Sequence, residues 1–174
     1  MLAKMFNNPP SDQLRSSKPR QAKSMLLFAL LGALLLQPLH AAEAIDRQGE
    51  ARLFYTTIKI PANAEQLYVS GAGASAKADG SWGNMEEQTV DIFTKFKATL
   101  EQQGWSLGDI IQVRVFAVAN KDGTLDFDGF NRGYLQFFGT AENPAKPVRS
   151  FVQVAALVNP NWLVEVEIRA ARVP

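Results

Sequence analysis

The strongest periodic signal in the chain lies between residues 85 and 103. Met85, Thr89, Phe93, Phe96 and Leu100 recur at helical spacing and form one apolar stripe. Glu86, Glu87 and Asp91 fall near the start, where the helix dipole favours negative charge, and Gly104 supplies a stop. A second helix is predicted over residues 126–138, with Phe127, Phe130, Tyr134, Phe137 and Phe138 as its apolar set and Gly139 behind it. Asp126 and Asp128 read as its start. They could suggest calcium, but the remaining ligands of a loop site are missing.

Between and around these helices the pattern changes to that of strands. Residues 51–60 alternate, and residues 66–70 are a short run of β-formers leading into Gly71-Ala-Gly73. Residues 110–118 are nearly all β-branched or apolar, as a central strand requires. Residues 149–157 and 163–173, joined at Asn159-Pro-Asn161, supply the last two strands. The order is β-β-α-β-α-β-β without an internal repeat. The expected fold is α/β (α+β), a single sheet with two helices packed on one face. The other face then needs a cover, and an apolar one would favour self-association. The glycine pair after residue 70 lacks both the Walker pattern and a complete G-x-G-x-x-G, so a phosphate cradle is a weak reading.

The first 44 residues do not belong to this pattern. A basic lead containing Lys18, Arg20 and Lys23 precedes twelve residues without a polar side chain, from Met25 to Leu36, and a small-residue exit, Ala41-Ala-Glu-Ala44. These are the three parts of a secretory signal. As a helix the run would span roughly 18 Å against a hydrocarbon core of about 30 Å, which disfavours a retained anchor. Residues 1–44 are therefore expected to be a signal peptide and 45–174 an exported domain, periplasmic or secreted, with no stable membrane association after cleavage.

Setting the leader aside reverses the charge. Five of the eighteen Lys and Arg residues and two of the seventeen acidic residues lie within residues 1–44, so the whole chain is +1 while the remainder is −2. Scattered charge of that sign offers no footprint for nucleic acid. The chain has no cysteine, and its one histidine, His40, sits at the end of the leader. Thiol chemistry, histidine-based nucleophile systems and Cys/His metal sites are thereby excluded from the domain. Chemistry there has to use carboxylates, Arg, Lys, Tyr, Ser/Thr, backbone groups or water.

Residues 67–173 resemble the Rid (reactive-intermediate deaminase, YjgF-like) family. The landmarks are Leu67-Tyr-Val-Ser-Gly71, then Gln88, then Gly104 before Leu107-Gly-Asp-Ile-Ile111 and the strand that follows. They continue with Phe127-x-x-Phe-Asn-x-x-Tyr-x-x-Phe-Phe138, Pro147-Val-Arg-Ser150, Val152-Gln-Val-Ala-Ala-Leu157 and Val164-Glu-Val-Glu167. The resemblance implies a chorismate-mutase-like fold and a homotrimer with clefts between subunits. It implies hydrolysis of 2-imino acids, formed from enamines such as 2-aminoacrylate, to 2-keto acids and ammonia, without metal or other cofactor. On the matching positions it makes Arg149 the clamp for the substrate carboxylate and Glu165 the acid/base group, with Ser70, Gly71 and Asn131 near the cleft. The chemistry suits the restricted inventory. An iminium carbon is already electrophilic, and hydrolysis needs an orienting clamp, a positioned water and a proton carrier. Ala72 stands where many relatives carry glutamine, Thr57 where a tyrosine is common, and the loop over residues 120–126 is long. A non-catalytic exported trimeric binder of small carboxylates is the alternative. An endoribonuclease or chaperone-like role is a third reading, with little support from the charge.

Overall fold

The computed structural model describes residues 44–174; the predicted signal segment lies outside them, Ala44 excepted. Two short strands, β1 (Asp46–Glu50) and β2 (Tyr55–Lys59), form an antiparallel hairpin. β3 (Glu65–Gly73), α1 (Met85–Gln102), β4 (Ile110–Ala117), α2 (Phe127–Tyr134), β5 (Val148–Gln153) and β6 (Val164–Arg172) follow. The last four strands make one sheet in the order β3-β6-β4-β5. β6 runs antiparallel to β3 and β4, while β4 and β5 are parallel and joined through α2.

The α+β architecture with two helices over one mixed sheet matches the sequence reading, but the expected single sheet is two: the strand expected at 51–60 pairs with β1 in a separate two-stranded sheet instead of joining the main one. Other differences are local and have physical causes. β1 was not foreseen because Asp46-Arg-Gln-Gly-Glu50 is polar and almost entirely exposed; only its ladder to β2 makes it a strand. Residues 51–54 form the hairpin turn, closed by the Ala51 N–H donating to the Phe54 carbonyl at 3.0 Å, so the strand predicted at 51–60 begins at Tyr55. α2 ends at Tyr134 rather than 138. Its apolar stripe continues through turns in which the Phe137 and Phe138 N–H groups both donate to the Tyr134 carbonyl. β5 stops at Gln153, level with the end of its parallel partner β4 at the paired Ala117.

Each helix is held where the sheet needs it. Asn84 and Glu87 form a reciprocal capping box on α1, with bonds of 3.0 and 2.8 Å, worth about 1 kcal/mol by the usual cost of losing a cap. The Asp126 carboxylate accepts from the Gly129 N–H at 2.8 Å at the start of α2, so these aspartates do mark the helix. Gly104 behind α1 has φ +72°, a conformation that costs a side-chain-bearing residue energy. The two helices meet the sheet through an aromatic core centred on Phe93. Its ring lies 5.3 to 6.1 Å from those of Phe96, Tyr134, Phe137 and Phe138.

β4 from Ile111 on and β6 up to Ala170 alternate. Val113, Val115, Ala117, Val164, Val166, Ile168 and Ala170 are buried under the helices. Gln112, Arg114, Phe116, Glu165, Glu167 and Arg169 face the other way. That open face is mixed and charge-paired rather than apolar. Arg114 meets Glu167 at 3.4 Å, and the Arg169 guanidinium lies 4.8 Å above the Tyr68 ring.

Candidate functional site

Glu165 projects from β6 onto the open face, beside β3. Opposite it the β3–β6 register slips between Val69 and Ala72, a bulge in the chain that contains Ser70 and Gly71. The Glu165 side chain packs directly over Gly71: a Cβ at position 71 would collide with its Oε1 atom. Two residues on, a Cβ at Gly73 would run into the Trp162 ring, whose indole N–H donates to the Ala74 carbonyl at 2.8 Å. The two glycines therefore provide clearance for a carboxylate and an indole. Ser70 and Gly71 are exposed next to that carboxylate.

The loop that leads into β6 is fixed from α1. The buried Gln88 side chain donates to the Gly83 and Asn161 carbonyls and accepts from the Leu163 N–H at 2.8 Å. All of its contacts are structural, and they set the start of the strand that carries Glu165. Its neighbour Glu167 is bonded to Arg114, whereas Glu165 has no ion pair among the described residues.

Arg149 lies on β5, at the edge of the four-stranded sheet, paired in register with Val113. It shares the helix side with Phe151, which packs edge-on against Phe127 and Phe130. The guanidinium carbon sits 4.8 Å from the centre of the Tyr134 ring, 5.4 Å from Phe130, 5.8 Å from Phe54 and 5.9 Å from Phe127. Burial lowers its pKa from the usual guanidinium value, the Tyr134 phenol works in the opposite direction, and the Arg52 charge adds to the lowering. A guanidinium nevertheless stays protonated. Burial pushes the Tyr134 phenol well up, against the pull of Arg149, so it remains neutral, and its hydroxyl donates to the Leu53 carbonyl at 2.8 Å.

The polar bookkeeping at this cage is incomplete. Arg149 Nη1 is buried without a hydrogen-bond partner, and so is the amide oxygen of Asn131, which shares the buried face of α2 with Phe130 and Tyr134. Buried polar atoms are rarely left so, because each costs about 1–3 kcal/mol. A carboxylate would satisfy the guanidinium with two parallel bonds.

The structure thus groups the predicted residues into two clusters. Arg149 and Asn131 lie on the helix side; Glu165, Ser70 and Gly71 lie on the open side. Within one chain Arg149 and Glu165 do not meet. Sequence reasoning missed Phe54, which the β1–β2 turn brings over Arg149. That turn is tied down by Lys146, whose buried ammonium donates to Glu50 Oε1 at 2.7 Å and to the Ala51 carbonyl at 2.9 Å. Phe127, Phe130 and Tyr134 were visible as a helical stripe, but spacing alone does not show that a stripe also encloses a cation.

A family model described as Endoribonuclease L-PSP matches residues 51–172. A RutC family protein of Pyrococcus horikoshii is 36% identical over 85 residues, 49% of this chain and 60% of that protein, so the match spans less than two thirds of that relative. A RutC family protein of Leuconostoc mesenteroides is 35% identical over 112 residues, 63% of this chain and 82% of the relative. Among solved structures, a proposed endoribonuclease of Thermotoga maritima is 29% identical with a TM-score of 0.51, covering 75% of this chain and 97% of that one. A Yersinia pestis protein of the conserved Rid family, 22% identical, shares the fold with a TM-score of 0.54, over 67% of this chain and 85% of that one. The matched span takes in β2 to β6 and both helices, and on that ground the chain belongs to the YjgF/Rid family, whose model carries the endoribonuclease L-PSP description.

Proposed function

We propose that the protein is an exported homotrimer that hydrolyses 2-imino acids, including those formed from enamines such as 2-aminoacrylate, to 2-keto acids and ammonia. The observation that carries this reading is the aromatic-walled guanidinium of Arg149, whose buried Nη1 has no hydrogen-bond partner among the described residues. It is a site prepared for a small carboxylate, on a domain with no thiol or histidine to run another hydrolysis. Arg149 holds the substrate carboxylate, with Asn131 beside it. Glu165 takes a proton from the attacking water as the new C–O bond forms at the iminium carbon. It returns that proton to the carbinolamine nitrogen; as the C–N bond breaks and ammonia leaves, the hydroxyl gives its remaining proton to Glu165 and the keto C=O bond forms. Ser70 and Gly71 line the same side and orient the water.

The two clusters lie on opposite faces of the sheet, so a complete site takes Arg149 from one chain and Glu165 from the next. Its position on an edge strand lets Arg149 reach a neighbour, and the paired charges of the open face give that neighbour a polar surface to meet. RNA cleavage, the activity in the family description, has less support, because the −2 charge of residues 45–174 gives a phosphate backbone little to bind.

The test mixes chains. Arg149→Ala and Glu165→Gln proteins, each inactive alone, are unfolded together, refolded as a mixture and assayed for keto-acid release from imines made in situ by an amino-acid oxidase. Random assortment should restore about a quarter of the intact sites in a closed ring of identical interfaces. No recovery, with the wild type active, would place the two residues in separate functions. A wild type that binds keto acids but hydrolyses no imine would leave the carboxylate binder as the better reading, since the Arg149 clamp is complete within one chain.

A further inference from the structure

Two of the four rings around Arg149 serve the core, and two do not. Phe130 and Tyr134 are fully buried. Phe54 keeps 36% of its surface exposed and Phe127 keeps 41%, although both lie within 6 Å of the guanidinium carbon. They come from different elements, the β1–β2 turn and the first residue of α2, and meet only at the cation. An anion held by Arg149 has its next substituent beside these rings. Large exposed apolar side chains converging on one bound group form a surface for an apolar ligand part.

The charges nearby sharpen the picture. No carboxylate pairs with Arg149 among the described residues, and Arg52 is the charged neighbour whose field reaches it. A ligand whose side chain carries a positive charge would meet repulsion from Arg149 and Arg52 together.

Resting on the reading of Arg149 as a carboxylate clamp, we propose that the site selects 2-imino acids with a large apolar, above all aromatic, side chain, that Phe54 and Phe127 are the specificity-determining residues, and that cationic side chains are rejected. The rings give a phenyl group an edge or face to pack on and shed water from, and they give a methyl group almost nothing. Since one well-placed methylene already changes kcat/KM by about 10- to 200-fold, the phenylalanine-derived imine should exceed the alanine-derived one by at least about tenfold.

The experiment generates imines from phenylalanine, alanine and arginine with amino-acid oxidases and compares kcat/KM on the full mature protein. The expected order is phenylalanine, alanine, arginine. Phe54→Ala and Phe127→Ala should each pull the phenylalanine-to-alanine ratio toward one. Two variants are used because Phe127 also packs on Phe151, whereas Phe54 lies in a turn. Equal or reversed values for phenylalanine and alanine, or a ratio indifferent to both substitutions, would overturn the proposal. If no imine is hydrolysed, the deaminase reading falls, and calorimetry decides the specificity separately. Phenylpyruvate binding at least about tenfold tighter than pyruvate, with the preference lost in Phe54→Ala, supports it; equal affinities overturn it.

Discussion

Arg149 and Arg172 both lie against aromatic rings, and their circumstances are opposite. The Arg172 guanidinium sits 4.2 Å from the centre of the Trp105 ring, donates to Glu65 at 2.9 Å and to the Gly104 carbonyl at 2.6 Å, and so closes the end of the sheet over the end of α1. Arg149 has four rings and a buried Nη1 without a hydrogen-bond partner among the described residues. The first arrangement is complete and needs nothing further. The second is a cost that folding alone gives no reason to keep, because a buried charge without a partner destabilises what contains it. β6 repeats the contrast with carboxylates. Glu167 is engaged by Arg114, while two residues earlier Glu165 rests over Gly71 without an ion pair among the described residues. The completed pairs are structural, and the unfinished ones are what the proposed ligand site rests on.

The largest effect should come from the carboxylates. Glu165→Gln is expected to slow imine hydrolysis by roughly 10²–10⁴-fold, the range for losing a general acid/base, with keto-acid binding retained. Glu167→Gln should stay close to wild type in the same assay. Comparable losses in both variants would erase the distinction between them.

Binding by the two arginines should separate next. Arg149→Ala should weaken calorimetric binding of a keto acid by roughly 30-fold or more, and Arg149→Lys should recover little, since an ammonium lacks the planar fork. Arg172→Ala should bind normally. Weakened binding in Arg172→Ala at unchanged oligomeric state would show that the arginine comparison is drawn in the wrong place.

The smallest effect has the most informative sign. Arg149→Met should leave the melting temperature unchanged or raise it, because an apolar side chain of similar length replaces an unpaired charge among rings. Arg172→Met should lower it by a few degrees, corresponding to about 1–2 kcal/mol for two charge-assisted bonds at a partly exposed site. Thermal unfolding followed by circular dichroism reads both. A drop for Arg149→Met as large as that for Arg172→Met would make Arg149 a structural residue.

Much of the fold was legible because its elements bury on one side only. The stripe from Met85 to Leu100 and the alternation of β6 follow directly from that condition, and both are seen. β1 was not legible because it is held by ladder bonds to β2 and buries almost nothing. The site was legible as residues and not as a place. Arg149 and Glu165 were singled out through the family resemblance, yet no pattern in the chain says that one points toward the helices and the other away. That follows from their register against Val113 and Phe116, which tertiary pairing alone sets. Phe54 was hidden for a similar reason: nothing in its neighbourhood foretells that a turn 95 residues upstream of Arg149 closes over it.

The clearance at Gly71 links two positions that are far apart in the gene. Any mutation that adds a carbon at 71 is delivered first to the carboxylate of Glu165, so a change at one codon is inherited as a change in the behaviour of the other. The carboxylate is the far end of a flexible side chain, so it can swing aside for that carbon, and a substitution at 71 shows itself as a displaced Glu165 rather than as a lost fold.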